Sequence, residues 1–324
     1  MTNAYHEAKT SMVLFDRSDR GRLEILGPDR AKFLHNLTTN DIKRMALGTG
    51  CEAFITNLQG KTLGYVTVLA DDPQLLVRTD HGALVGVLPH LQKYGVFDDV
   101  TLEDIGPSTF EFHCVGPKLR ETLGEMTEAV AFAEYRHHRQ VLDGMSVWLV
   151  WESPTGRQGV TLIGRNDDRD RLHQWLQSQG FLVGDAATFE ALRIEAGIPV
   201  YGRDVNPENL PQEIARDRQA ISFTKGCYLG QETVARLDAL GHVNKILRGL
   251  IFDAGPVPRI GTPLTSEGKP VGHVTSAAAS PGRGTGVGLA IVKVAHSPSG
   301  TLLNLTMDGA DRQATVSDLP ITSP

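Results

Sequence analysis

Cysteine is scarce in this chain: Cys51, Cys114 and Cys227 are the only three in 324 residues. Odd in number and far apart, they suggest neither a disulfide framework nor a CxxC metal site. Positive charge is also short, with 32 Lys and Arg against 38 Asp and Glu, for a formal charge of -6. A protein whose main task is gripping phosphate backbones carries a basic excess, so nucleic acid is not an expected partner. No apolar run approaches the ~20 residues that cross a bilayer, and the opening MTNAYHEAKTSMVLFDRSDRG has no basic segment leading into an apolar stretch. A soluble, cytoplasmic protein with no membrane partner is expected. The histidines are scattered, HExxH and GxSxG are missing, and no metal is expected.

What is present supports a substantial core. Hydrophobic residues make up 40% and charged residues 22%, and the length favours two or three subdomains. RLEILGPDRAKFLHNLTTND reads as strand, turn and helix, with Pro28 suited to a first helical position. CEAFITNLQGKTLGYVTVLADD reads as two strands around a hairpin at Asn57 to Lys61. QLLVRTD is strand-like, and Asp80 is placed to cap the helix GALVGVLPHLQKYG, which Pro89 kinks. TFEFHCVG is a further strand leading into a helix opened by Pro117. VWLVW and GVTLIG are strands, Asn166 or Asp167 caps DDRDRLHQWLQSQ, and FEALRIEAG is a helix with Phe189, Leu192 and Ala196 on one face. After Gly241 the helical patterns stop and short strands alternate with Gly, Pro and Ser, as in a small β-barrel or sandwich. The expected class is α+β, with an α/β region over residues 1–240 and a β domain over 241–324.

Several motif matches fail on context. GRGTGVG at Gly282 to Gly288 approaches a dinucleotide fingerprint, yet the strand-like LAIVKV follows where a helix is needed. LQGKT ends like a phosphate-binding loop but lacks its first glycine, so a hairpin turn explains it better. His137 and His138 are adjacent, which points their side chains apart, and solvated surface is the expected setting.

KGCYLGQE, Lys225 to Glu232, is more informative. GQETVARLDAL continues as a helix with Glu232 and Arg236 at i,i+4, which puts Cys227 at or just before a helix N-terminus. There the unpaired N–H groups, the helix dipole and the charge of Lys225 favour thiolate over thiol. A small buried thiol in a glycine turn explains the local pattern about equally well. Cys51 and Cys114 sit in apolar strands and read as inert.

KGCYLGQE resembles the K-G-C-[FY]-x-G-Q-E signature of the YgfZ-type folate-binding proteins, relatives of the glycine cleavage T-protein that assist iron-sulfur proteins. LGPDRAKFLHNLTTND, LRIEAGIPVYGRDV and GKPVGHVTSAAASP resemble further stretches of that family, so the likeness spans nearly the whole chain. It implies two interleaved α/β subdomains around a central channel, followed by a C-terminal β-barrel, with tetrahydrofolate as cofactor in the channel. Cys227 and Lys225 are then the reactive pair, and iron-sulfur client or cluster-assembly proteins the partners. Arg193, which by spacing alone is a surface ion pair with Glu190, is implied in holding the folate glutamate. Tyr65 is implied in stacking on the ring, with Arg78 facing the channel and Arg157 beside the pterin. The T-protein's aspartate pair aligns with Gly64 and Tyr65, and its Gly-Glu with Gly156 and Arg157. With those acids missing, nothing is expected to orient the pterin or manage protons, which argues against aminomethyl transfer. A folate-dependent aminomethyl or methyl transferase and a non-catalytic adaptor with a vestigial pocket are the alternatives.

Overall fold

The computed structural model describes residues 2–123, 132–241, 243–307 and 309–321. Long apolar segments such as TFEFHCV cannot lie on a half-exposed sheet, and Thr109–Val115 is accordingly buried from its second residue onward in the middle of a six-stranded sheet. The order there is Leu182–Val183, Val13–Asp16, Thr109–Val115, Gly159–Arg165, Met145–Glu152 and His137–Leu142, antiparallel except for the first pair. A second, antiparallel sheet runs Thr49–Thr56, Thr62–Ala70, Leu75–Thr79, Gly21–Leu26 and Thr101–Asp104. All of it is inserted between the first two long-range partners of the larger sheet, Val13–Asp16 and Thr109–Val115. The two α/β subdomains are therefore interleaved in sequence.

Each sheet buries one face under helices. Leu14, Phe112, Leu149 and Leu162 pack with Leu172 and Leu176 of the helix Arg169–Ser178. Leu23, Ile25 and Val77 pack with Phe33 and Leu34 of the helix Arg30–Leu37 and with Val87 and Leu91 of the helix Leu84–Tyr94. Each such side chain contributes roughly 1.5–3 kcal/mol on burial.

After residue 244 the strands Lys245–Phe252, Thr285–Lys293, Lys269–Ser280, Pro263–Ser266, Leu302–Met307 and Ala310–Ser317 close into a barrel, which leaves no free edge. A shared apolar cluster joins it to the first part: Phe54, Ile194 and Tyr228 pack with Leu247, Leu289 and Ile321. The helix Ala186–Ala196 anchors this joint. Asp185 accepts from the Thr188 N–H at 2.7 Å at its start. Gly197 ends it at φ +72°, where a Cβ would lie 2.8 Å from Leu319.

Local expectations about caps and surfaces differ from the fold at four places. The helix Leu84–Tyr94 starts from Ala83 with no side-chain cap, because the Asp80 carboxylate turns away to accept the Tyr201 N–H at 2.7 Å. Neither Asn166 nor Asp167 caps the helix at 169; Asn166 donates to the Pro107 carbonyl instead. Pro28 lies ahead of the helix, which begins at Arg30. His137 is buried, stacked on Trp148 at 5.6 Å, rather than solvated. The expected helix after Pro117 is present over Leu119–Leu123. No described helix is long and apolar enough to cross a membrane.

Candidate functional site

Both sheets and the helix Ala186–Ala196 wall a central cavity of about 70 Å³. Ordinary ligand pockets hold ~300 Å³ or more, so a flat heterocycle enters only if wall side chains move. Two neighbouring hollows share parts of this wall. A groove of about 750 Å³ shares Arg17 and Phe189, and one of about 300 Å³ shares Arg17, Asp80, Phe189 and Arg193.

Glu52, buried in the strand Thr49–Thr56, organises one end. Its carboxylate accepts from the Tyr65 hydroxyl at 2.5 Å, the Tyr135 hydroxyl at 2.6 Å, Arg216 Nε at 2.9 Å and Arg216 Nη2. Four donors on two oxygens satisfy an ionised carboxylate. Tyr65 also stacks on Phe54 with centroids 5.2 Å apart. Burial first, and then the Glu52 charge, push both phenols well above the usual tyrosine range. Tyr135 adopts φ +62°, a strained backbone for a non-glycine residue, in order to reach this cluster.

Behind the cavity wall a fully buried Arg78 joins the sheets. Its Nε and Nη2 donate to Glu111 at 3.2 and 2.7 Å, and its Nη1 and Nη2 donate to Glu152 at 2.9 and 2.8 Å. Arg78 comes from the second sheet and both glutamates from the first. Thr161 Oγ1 donates to Glu152 as well, and it lies 3.0 Å from Nδ1 of His113, whose imidazole burial pushes down to about 4. Arg78 is thus absent from the cavity wall, contrary to the expectation that it faces a channel; Glu152 occupies that wall.

Arg193 does line the cavity, but its donors are all committed. Nε and Nη2 bind Glu190 at 2.8 and 2.5 Å, Nη1 binds the Ile198 carbonyl at 2.9 Å and Asp204 at 3.0 Å, and Nη2 binds Ser276 at 2.7 Å. It is a buried clamp between helix, loop and barrel rather than a surface ion pair, and no N–H is left for a ligand carboxylate. Arg157 is exposed beside a separate hollow with Gly156 and Trp151, and it is not part of the central wall.

KGCYLGQE is an anchored loop. Lys225 is buried, and its ammonium donates to the carbonyls of His35, Thr38 and Asn40 at 2.5, 2.6 and 3.0 Å, closing the C-terminal end of the helix Arg30–Leu37. Burial pushes that ammonium down to about 8, with Asp41 acting against it. Tyr228 is buried, the Leu229 N–H donates to the Asn36 carbonyl at 2.9 Å, and Thr56 Oγ1 donates to the Leu229 carbonyl at 2.6 Å. Gly230, at φ +82°, sits so close to the 57–60 hairpin that a Cβ would lie 2.3 Å from the Asn57 carbonyl oxygen. Gly226 and Cys227 are the exposed residues between these anchors.

Two expectations about the thiol are corrected. The helix Gln231–Leu240 begins after the cap residue Gly230, so Cys227 stands three residues ahead of the cap. Lys225 is turned toward backbone carbonyls, which rival the thiol for its charge. Cys114 is buried and Cys51 mostly so, and burial pushes the Cys51 thiol up to about 12 and Cys114 higher still.

Sequence reasoning missed Glu52, Glu134, Tyr135, Glu152 and Arg216 on the wall, and Glu111 behind it. A signal existed: Glu52, Arg78, Glu111 and Glu152 are charges inside otherwise apolar strands, where only pairing tolerates them. The expectation that the site lacks acids is overturned by position. Glu52, Asp80, Glu134 and Glu152 all reach the cavity wall from places other than the aligned ones. Glu134, exposed at the rim, accepts among the described residues from Ser153 alone, at 2.8 Å from its N–H and 3.2 Å from its hydroxyl, and keeps lone pairs for a ligand.

Residues 2–225 match the profile of the GCVT N-terminal domain, and residues 245–322 that of the glycine cleavage T-protein C-terminal barrel domain. A chloroplastic candidate transferase of Arabidopsis thaliana is 28% identical over 95% of this chain and 71% of its own length. An aminomethyltransferase of Streptomyces avermitilis is 28% identical over 89% of this chain and 80% of its own. The crystal structure of glycine cleavage system aminomethyltransferase T from Bartonella henselae superposes with a TM-score of 0.87 at 19% identity, covering 98% of this chain and 88% of that one. That superposition speaks for the fold alone. With both family domains present in order, the chain belongs to the glycine cleavage T-protein family.

Proposed function

We propose that this protein is a folate-binding accessory factor for iron-sulfur proteins, which holds reduced folate in the central cavity and meets its partner through Cys227. The observation that carries this reading is the loop: KGCYLGQE is anchored on both sides of an exposed thiol that does not line the cavity. A thiol placed there serves a second macromolecule better than a ligand inside the wall. One cysteine cannot hold a cluster, so contact with a cluster or a sulfur species is shared with the partner.

The wall chemistry fits a pterin. Its amino and N–H edge needs acceptors, which Glu134 offers at the rim, and Tyr65 supplies aromatic surface. Bound tetrahydrofolate would supply a carrier for a one-carbon unit. The same carboxylate favours a second reading, folate-dependent aminomethyl transfer, because a rim acid with free lone pairs is a candidate proton acceptor.

Gene removal followed by complementation separates the two. Iron-sulfur enzyme activities should fall on removal, return with the wild type, and stay low with Cys227→Ala. Full rescue by Cys227→Ala would refute the accessory reading. Glycine-cleavage activity lost with Glu134→Gln would establish the second.

A further inference from the structure

Four arginines reach the wall of the central cavity, and three of them are engaged: Arg193 in its clamp, Arg216 on Glu52, and Arg20, whose Nη1 donates to Glu111 at 3.3 Å. Arg17 differs. Among the described residues, no carboxylate or carbonyl accepts a hydrogen bond from its guanidinium, which lies over the Phe189 ring 3.9 Å from the centroid. The platform is rigid, since Phe189 packs edge-on against the buried Phe15 at 5.3 Å. The Arg17 backbone is fixed too, its N–H donating to the Glu111 carbonyl at 2.8 Å.

A half-buried guanidinium stacked on an aromatic ring keeps its edge free for a planar anion. Beside it, Arg20 carries a buried Nε that makes no hydrogen bond among the described residues and lies 4.0 Å from the Asp80 carboxylate. Burial and the nearby Arg20 charge disfavour the Arg17 cation, with Asp80, Glu111 and Asp19 acting against them in part, and an anionic ligand would relieve what is left. Position adds direction: Arg17 and Phe189 are shared by the central cavity and both neighbouring hollows, whereas Glu134, Tyr135 and Glu52 line the central cavity alone. Arg17 therefore stands where the central cavity meets both neighbouring hollows, apart from the acceptors Glu134 at the rim and Glu52 in the buried cluster.

We infer that Arg17, with Arg20 Nε beside it, is the anchor for a carboxylate at the outer end of the cavity ligand. The inference rests on the folate reading, under which that carboxylate belongs to the glutamate of the ligand. It replaces Arg193, whose donors are spent. A ligand with the same ring system and no carboxylated tail should lose this contact and keep the others.

The test is calorimetric titration of the full chain with 5-formyltetrahydrofolate and with its analogue that ends at the benzoyl group as a neutral amide. Wild type, Arg17→Met and Arg17→Lys are compared; methionine keeps a side chain over the Phe189 ring. Wild type should prefer the glutamate-bearing ligand by about tenfold or more, and raising salt should erode that preference. Arg17→Met should lose about tenfold for the glutamate-bearing ligand and less than twofold for the amide, with Arg17→Lys between. Equal losses for both ligands, or an unchanged preference in Arg17→Met, would overturn the inference while leaving folate binding intact. Failure of the wild type to bind either ligand overturns the folate reading and this inference with it.

Discussion

Replacing Arg78 with methionine removes one cation from between two buried carboxylates and keeps the apolar volume of the stem. Four charge-assisted hydrogen bonds of 2.7–3.2 Å disappear, and Glu111 and Glu152 are left facing each other inside the joint between the sheets. Breaking a buried ion pair from one side costs about 3–5 kcal/mol, a large part of a total stability of about 5–15 kcal/mol. Arg20, 3.3 Å from Glu111, compensates part of the lost charge and places the expectation at the lower end, near 3 kcal/mol. The pH dependence provides an independent check. Against the opposing effect of burial, Arg78 and Arg20 hold Glu111 down to about 2 from an ordinary 4.5, and Glu152 lower still. A depressed carboxyl stabilises the fold above its unfolded value and loses that contribution as pH falls, here between 4.5 and about 2. In Arg78→Met burial has less opposition and raises both carboxyls, so mild acid neutralises them and relieves the penalty. The deficit of the variant relative to wild type should therefore shrink between pH 7 and pH 5. Urea denaturation followed by circular dichroism at the two pH values measures both quantities, and Arg78→Met/Glu152→Gln should regain part of the loss at pH 7. A deficit below about 1 kcal/mol at pH 7, or one that does not change with pH, would refute the buried-triad argument.

Three further outcomes follow from the anchored loop. Iodoacetamide at pH 7 should label Cys227 first and leave Cys51 and Cys114 for the denatured chain, as mass spectrometry of partial digests would show; Cys51 labelling as fast as Cys227 would contradict the burial. Lys225→Met strands three backbone carbonyls and should cost about 1–3 kcal/mol in urea denaturation. If Lys225 serves those carbonyls alone, the alkylation rate of Cys227 in this variant stays within about twofold of wild type, and a tenfold drop would show that the ammonium acts on the thiol. Gly230→Ala drives a methyl to 2.3 Å from the Asn57 carbonyl oxygen at a positive φ and should cost about 1–3 kcal/mol; a neutral result would mean that the loop and hairpin do not pack as described.

Local pattern sufficed for much of the architecture. Period-two runs marked the hairpin at Asn57 to Lys61 and the strands of the closing barrel, and 3.6-periodicity with a following glycine marked the helix Ala186–Ala196. Cys51 and Cys114 were legible as inert because strand membership already implies burial. The distinctness of KGCYLGQE was legible too, through its composition. Periodicity, however, reports which face a side chain occupies and not what stands opposite it.

The partners came from tertiary structure, because the interleaved sheets bring together residues far apart in the chain. Lys225 meets His35 across 190 positions, and Arg216 meets Glu52 across 164. Those pairings turned a supposed thiol partner into a backbone clamp and supplied acids where aligned positions had none. They also spent the donors of Arg193 and Arg78 while leaving Arg17 with an open edge over Phe189. What the sequence determined by itself was the set of elements and the residues able to carry charge or a thiol, since both follow from local chemistry. Which of those charges are used up and which stay available was decided only by the fold, since a hydrogen bond needs a donor and an acceptor at one place and sequence spacing does not locate the second.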